Sequence, residues 1–297
     1  MLKLGFIGAG TVGTALSLRL SSKGYPVVAV SSRSQTSARN LARVISDCHV
    51  SNKNQDVADT AELIFITTPD DAIASVATEI QWHTGQSVVH CSGALSTDIL
   101  ESAKKLGAQI GASHPLQTFA SVKQAVENIP GSTFALEAEE PLLSTLKDMA
   151  TALDGNWIEL KATDKVVYHA SAVIACNYLV TLVKLATDLW QNFGIPPHQA
   201  TQALLPLLRG TINNIDTVGI PQCLTGPIAR GDTETIRKHL NALQQATPTL
   251  LSTYQELGLQ TISVSLAKGK INQHQAEEMQ VILKQPKRQP NKNHVQK

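Results

Sequence analysis

The sequence predicts an α/β protein: a doubly wound, mainly parallel sheet followed by an all-α C-terminal domain. Three observations carry this. Short apolar runs alternate with helical patterns as far as about Leu160. A glycine triplet lies between the first apolar run and the first helical pattern. Beyond Lys161, helical patterns follow one another with no β pattern of comparable strength. The 297 residues suit two domains of about 100–200 residues each. They are read as residues 1–160 and 161–283, with a basic tail at 284–297.

The first run, Leu4 to Ile7, leads into Gly8, Gly10 and Gly13 at the G-x-G-x-x-G spacing, and Val12, Leu16 and Leu20 then recur four residues apart. Strand, glycine turn and helix in this order is the context in which the spacing signals a bound dinucleotide. Gly8 allows the tight turn, Gly10 lets the backbone approach a pyrophosphate, and Gly13 lets helix and strand pack closely. Gly8, Ala9, Gly10, Thr11, Val12 and Gly13 are therefore expected to cradle the pyrophosphate, at a helix N-terminus whose free N–H groups and dipole favour an anion. Pro26 to Val30 reads as the second strand, and Ser31, Ser32, Arg33 and Ser34 follow it. An acid there, about 20 residues beyond the glycines, would bind the ribose hydroxyls of NAD. None is present. Arg33 between Ser32 and Ser34 offers a cation and hydroxyls suited to a 2′-phosphate, so the expected cofactor is NADP(H). The competing reading of Arg33 is an ordinary solvated side chain.

Gln35 to Ile45 reads as a helix. Ala61 to Thr67 is almost continuously apolar, as in a parallel strand covered on both faces. T-P-D-D at 68–71 ends it, placing Thr68 and Pro69 at the cofactor and Asp70 as a helix N-cap. Gln86 to Cys91 and Gln109 to Ala112 are further strands, with a helix around Asp98 to Leu106 between them. Ligands of such sheets bind beyond the carboxyl ends of the strands, so the loops at Thr68, Ser92 and His114 share one cleft with the glycine turn. Thr133–Leu136 and Trp157–Leu160 close the sheet around a helix from Glu139 to Leu153. Asp164 to Phe193 is one long helical run, apolar on all sides, expected to be buried all round in a helical domain or a dimer. Helices follow at His198–Asn214, Asp232–Ala246, Pro248–Leu257 and His274–Leu283.

The composition is globular, 42% hydrophobic and 16% charged. No apolar run is read as approaching the roughly 18 residues of a membrane span, so no membrane partner is expected. The first strand follows the initial methionine directly, which leaves no room for a signal peptide. Cys48, Cys91, Cys176 and Cys223 are scattered, and His83, His198, His239, His274 and His294 lack ligand spacing. This argues against a metal site and a disulfide framework and fits a reduced, cytoplasmic setting. The formal charge of +1 hides an asymmetry: Lys284 to Lys297 holds five of the 25 basic residues and no acid, so residues 1–283 stand at −4. An acidic body carries no nucleic-acid footprint. The tail, polar and proline-broken, reads as a disordered solubilising end. G-x-S-x-G and a Walker lysine are both absent.

His114 precedes Pro115 at a strand's carboxyl end and suits a substrate carboxylate or a proton donor. The alternative is a loop histidine held by backbone. His90, one residue inside its strand end, reads as structural. Ser92 and Gly93 would bring a hydroxyl and open backbone beside the nicotinamide. Lys165, His169 and Asn177 fall at multiples of four along the long helix and share a broad face. Asn177 is costly there unless its amide is paired, by substrate or by a neighbouring helix. Tyr168 and Tyr178 read as packing residues with a polar tip. In T-G-P-I-A-R-G-D, Gly226 and Pro227 set a turn and Asp232 can cap the next helix. Arg230 is placed either to meet a substrate carboxylate or to bridge within the turn. The catalytic set is therefore His169, Asn177 and His114, and the substrate set is Ser92, Gly93, Gln117, Thr225 and Arg230.

The motifs G-A-G-T-V-G, T-P-D-D-A-I, H-C-S-G-A-L-S, H-P-L-Q-T-F, Y-H-A-S-A-V-I-A-C-N-Y-L and T-G-P-I-A-R-G-D occur in this order across nearly all of residues 1–283. Together they resemble the Rossmann-like proteins with a C-terminal domain of unknown function, in the 6-phosphogluconate dehydrogenase-like superfamily. The resemblance implies an NADP-linked oxidoreductase acting on a small molecule, dimeric through its helical domain, with some members similar to ketopantoate reductases. The related hydroxyacid dehydrogenases and ketopantoate reductases carry a helix lysine four residues before an asparagine. Here Val173 stands four before Asn177, so His169, His114 or Lys165 would have to replace that proton donor. The expected activity is NADPH-dependent reduction of a small 2-oxo acid, with ketopantoate as the leading candidate. An imine or pyrroline-carboxylate reductase and a non-catalytic NADP-binding sensor are the competing readings.

Overall fold

The apolar runs pair into a single sheet, seen in a computed structural model that describes residues 2–285. The elements alternate as β1 (Leu4–Ile7), α1 (Thr11–Ser22), β2 (Val27–Ser31), α2 (Gln35–Ala42), β3 (His49–Ser51), α3 (Asn54–Thr60), β4 (Leu63–Ile66) and α4 (Asp70–Glu79). They continue as β5 (Ser87–His90), α5 (Glu101–Lys105), β6 (Gln109–Leu116), α6 (Val122–Asn128), β7 (Thr133–Ala138), α7 (Leu142–Ala152) and β8 (Asn156–Glu159). The strand order is β3-β2-β1-β4-β5-β6-β7-β8. Pairs from β3 to β6 are parallel, β7 runs antiparallel to β6, and β8 is parallel to β7. Every residue of β1 and β4 is buried, and Phe6 stacks on Phe65 with ring centroids 5.1 Å apart. The chain order reverses between β1 and β4, and such a switch opens a crevice at the strands' carboxyl ends. Thr67 ties the two ends together there, its N–H donating to Ile7 O at 2.8 Å and its hydroxyl to Gly8 O at 2.8 Å.

Several sequence expectations are corrected. The short β3 and α3 carried too little periodicity to be read. β6 runs to Leu116, so His114 and Pro115 lie inside a strand rather than in a loop, with Ala135 opposite His114. Antiparallel pairing with β7 supplies the backbone partners that keep this segment extended. Asp70 is the first residue of α4, not its N-cap; Pro69 holds that place, and the Asp70 carboxylate accepts from Ser92 Oγ instead.

The apolar run after residue 161 is not one helix. A 3₁₀ turn at Ala162–Asp164 leads into α8 (Lys165–Ala175), Cys176 interrupts with φ −110° and ψ −66°, and α9 (Asn177–Leu189) follows. Within the single chain it is not covered all round, since Val166, Val167, Ile174 and Val180 are 64–74% exposed, which leaves the dimer alternative of the expectation. The absence of a membrane-length apolar run is likewise corrected. Lys165 and Lys184 bracket a stretch without Asp, Glu, Lys or Arg, and the 162–193 region is long and apolar enough, by length and composition, to cross a membrane.

Compact units divide at Asn177/Tyr178, inside this helical region. The second contains α9, α10 (Pro197–Val218), a 3₁₀ turn at Ile228–Arg230, α11 (Thr233–Ala246), α12 (Leu251–Lys268) and α13 (Gln273–Leu283). Ile228, Ile236, Ile262, Ile271, Met279 and Ile282 form its core. Asp232 caps α11 as its position suggests, accepting from Thr235 N at 3.0 Å. Beyond Gln285 the basic tail lies outside the described residues.

Candidate nucleotide and reaction site

A cleft of about 950 Å³ opens at the carboxyl ends of β1, β2 and β4, lined in part by Gly8, Ala9, Gly10, Ser32, Arg33, Ser34, Thr68 and Pro69. The three glycines serve three ends. Gly8 has φ +112°, and a Cβ there would come within 2.7 Å of the Thr67 backbone. A Cβ on Gly13 would collide with the Thr67 side chain and the Gly8 carbonyl, so this glycine sets the approach of α1 to β4. A Cβ on Gly10 would meet nothing within 4 Å, which leaves open space over the backbone. Thr11, Val12 and Gly13 form the first turn of α1, and Gly10 caps it without a side-chain bond, so the N–H groups of that turn remain available to an anion.

Arg33 forms no ion pair among the described residues, while Ser34 caps α2, accepting from Ser37 N at 3.2 Å. Thr68 Oγ1 is buried with no hydrogen-bond partner among the described residues, although Thr68 lines the cleft. An orphaned hydroxyl, an open glycine and a free guanidinium together fit a phosphorylated dinucleotide. Lys53, Asn54 and Glu79 also line the cleft and were missed, because they belong to the unread segment around β3 and to the far end of α4. Ser31 Oγ donates to Asn54 Oδ1 at 2.6 Å, and the Asn54 amide donates to Glu79.

The predicted reaction end draws on β5, β6 and α8. After β5, Ser92 is buried: its Oγ donates to Asp70 Oδ2 at 2.7 Å and accepts from Leu95 N at 3.1 Å. Gly93 lies against two histidines. A Cβ on it would stand 2.7 Å from His169 Cδ2 and 2.9 Å from His114 Nε2. The two imidazoles meet edge-on, with centroids 6.1 Å apart. His114 Nδ1 lies 2.8 Å from the Tyr168 hydroxyl. Tyr168, read from sequence as a packing residue, is thus bonded to a predicted site histidine. The signal was present in the helical spacing, since Lys165, Tyr168 and His169 fall at i, i+3 and i+4 and share a face.

Burial lowers the His114 pKa to about 4, helped by His169 and Lys165. A neutral imidazole has one donor and one acceptor nitrogen. When the Tyr168 O–H donates to Nδ1, the proton of His114 sits on Nε2, beside Gly93; the 2.8 Å separation fits this direction and its reverse. Burial also holds the Tyr168 phenol up, at about 12, so it keeps its proton at neutral pH. His90 is structural, as read. It is fully buried, accepts from Ser92 N at 3.2 Å, lies 3.2 Å from Ser96 O through Nε2, and is held down to about 3 chiefly by burial. Cys91 is pushed up to about 12 by burial and is no nucleophile.

The other predicted residues belong to other elements. Gln117, exposed past the end of β6, directs its amide to Asn128 O at 3.3 Å and to Ser132 Oγ at 3.4 Å, closing its own loop. Asn177 opens α9 beyond the Cys176 break, so the regular spacing from His169 does not by itself place it on the same face. Thr225 and Arg230 belong to the second unit. Arg230 stands 4.0 Å from Asp232 with its side chain 66% exposed, so the bridge within the turn is long and the guanidinium is open to solvent.

The profile of a Rossmann-like domain matches residues 1–115, and that of a domain of unknown function, DUF2520, matches residues 132–261. The chain is similar to a Bacteroides fragilis protein provisionally named an NADP oxidoreductase, at 26% identity over 88% of this chain and 97% of that one, with a TM-score of 0.70. A Thermotoga maritima protein is similar at 27% identity over 90% and 99%, with a TM-score of 0.72. The 1-pyrroline-5-carboxylate reductase of Streptococcus pyogenes shares the fold at 17% identity over 94% and 98%, with a TM-score of 0.59. No curated protein sequence matches the chain.

Proposed function

We propose that this protein is a cytoplasmic NADPH-dependent reductase of a small carbonyl compound. The observation that carries the reading is the His114–Tyr168 pair beside Gly93, in a domain whose glycine turn and Arg33 suit NADP(H). Gly8, Ala9, Gly10 and the first turn of α1 would hold the pyrophosphate, and Arg33 with Ser32 and Ser34 the 2′-phosphate. NADPH, when bound, supplies a hydride. As a carbonyl carbon gains it, the oxygen becomes an alkoxide that needs a proton. His114 releases the Nε2 proton to that oxygen while Nδ1 takes the Tyr168 proton, so the imidazole stays neutral and the phenol is recharged from water. A positioned donor of this kind contributes about 10²–10⁴-fold. His169 closes the other side of Gly93. The name borne by the Bacteroides fragilis neighbour supports an oxidoreductase acting with NADP.

A C=N substrate is the second reading, favoured by the Asp70 carboxylate held by Ser92, which would stabilise an iminium. The two are separated by assaying NADPH oxidation with ketopantoate and other 2-oxo acids against 1-pyrroline-5-carboxylate, in wild type and in Tyr168→Phe. Carbonyl reduction is expected and should fall about 100-fold or more in the variant, with little change in KM. Imine turnover that survives Tyr168→Phe would decide for the second reading. No NADPH oxidation across the panel, with NADPH binding intact, would decide for a sensor.

The exposed apolar side chains of Val166, Val167, Ile174 and Val180 support a homodimer formed through this helical region. Val167→Glu with Val180→Glu should then give a monomer by light scattering. A wild-type protein already monomeric would refute that.

A further inference from the structure

Lys165, Tyr168 and His169 leave α8 on one face, and the proposed function uses only the last two. The Lys165 side chain is 2% exposed, and its ammonium is paired with Glu137 Oε2 at 3.5 Å. Neither atom makes a hydrogen bond among the described residues. Glu137 is held from its other side, Oε1 accepting from Thr97 N at 3.2 Å and from Thr97 Oγ at 2.9 Å. In the β6–β7 register it lies opposite Ala112, two residues before His114. A buried pair of this kind is a poor source of stability, because desolvating two charges offsets their attraction and an apolar pair of similar volume serves as well. Its effect on neighbouring charges is another matter, since a buried charge is weakly screened.

The titratable groups around His114 and Lys165 come from several elements. They are Tyr168, His169 and Lys165 from α8, His90 and Cys91 from β5 and its end, Asp70 from α4, and Glu137 from β7. Lys165 is the lone lysine or arginine in this set. We propose that Lys165, locked to Glu137, is a positioning residue that acts through His114, opposing a second positive charge there. This rests on the reading of His114 as the proton donor. A charged imidazole carries a proton on Nδ1 as well, and that N–H would face the Tyr168 hydroxyl and reverse the bond. The neutral ring keeps the direction of donation from Tyr168 through Nδ1 to Nε2 and the space beside Gly93. The energetic sense agrees, since Lys165 is among the groups that lower the proton affinity of both His114 and His90.

The test is an NMR titration of histidine-labelled full-length protein, without cofactor or substrate, in wild type, Lys165→Met, Lys165→Arg and Glu137→Gln. The His114 midpoint should rise by roughly half a pH unit or more in Lys165→Met. It should stay in place in Lys165→Arg and fall in Glu137→Gln, where the ammonium is no longer balanced. A bridge that merely holds α8 to β7 gives no such opposed shifts. An unmoved midpoint in Lys165→Met, or shifts of the same sign in the two charge-removing variants, overturns the proposal. Should Lys165→Met fail to fold, the direction in Glu137→Gln decides. If the panel assay finds no reductase, the titration still answers the electrostatic question, so the two failures are distinguishable.

Discussion

Gly93→Ala offers the sharpest separation of chemistry from folding. Gly93 lies outside the left-handed region, so alanine brings no backbone strain and the whole perturbation is one methyl group. That methyl would stand 2.7 Å from His169 Cδ2 and 2.9 Å from His114 Nε2. Ordinary contact between such atoms is about 3.5–4.0 Å, so each ring must retreat by about 1 Å. The atoms displaced are side-chain ends, which keeps the folding cost near the low end of the roughly 1–3 kcal/mol of overpacking. His114 is tied to Tyr168 at 2.8 Å, so its displacement disturbs the geometry of the bond along which the proposed proton transfer runs. A misplacement of about 1 Å near reacting atoms costs about 100-fold, or about 3 kcal/mol of barrier. Steady-state NADPH oxidation should therefore show kcat/KM down about 100-fold. NADPH affinity by fluorescence titration should stay unchanged, and Tm should fall by a few degrees at most. Wild-type kcat/KM in this variant would refute the placement of the reaction over Gly93.

Gly10→Ala and Gly13→Ala should part company. The first leaves Tm unchanged and abolishes measurable NADPH binding, because its methyl enters open space over the cradle; the second lowers Tm, because its methyl strikes Thr67 and the Gly8 carbonyl. Calorimetry with and without NADPH reads both, and equal Tm losses would contradict the division of roles. Arg33→Ala should weaken NADPH binding about tenfold or more while leaving NADH binding in place, as loss of a charge-assisted phosphate contact requires. Equal losses for both cofactors would remove Arg33 from the 2′-phosphate site. The protein should also lose stability as pH falls from about 6.5 towards 4. His114 and His90 titrate at about 4 and about 3 when folded, against 6.5 as the ordinary value, so the unfolded chain binds protons first. Each contributes up to about 1.4 kcal/mol per pH unit across that window. Urea unfolding at pH 7, 6 and 5 checks this, and a flat profile would contradict the burial of both rings.

Legibility followed locality. The glycine triplet, the apolar β4 and the Asp232 cap are short stretches whose backbone conformation their own residues dictate, and each stands where the sequence predicts. Where an element depends on a distant partner, prediction weakened. β6 continues through His114 because β7 pairs with it, and β3 exists because β2 offers an edge. The run after Lys161 was legible as helix, but its break at Cys176 and its exposed apolar face were not. Periodicity reports what a side chain prefers, not what the rest of the chain leaves to cover it.

The sequence by itself determined a doubly wound sheet with a glycine turn, an arginine in place of an acid after β2, and a helical second half. It could also name His114, His169, Ser92 and Gly93. Only the tertiary structure decided that Tyr168, 54 residues from His114 along the chain, bonds to that imidazole. It likewise brought Asp70 to Ser92 and buried Lys165 against Glu137. The reason is physical. Strand order and the seating of α8 set which side chains meet, and that meeting depends on contacts far apart in sequence.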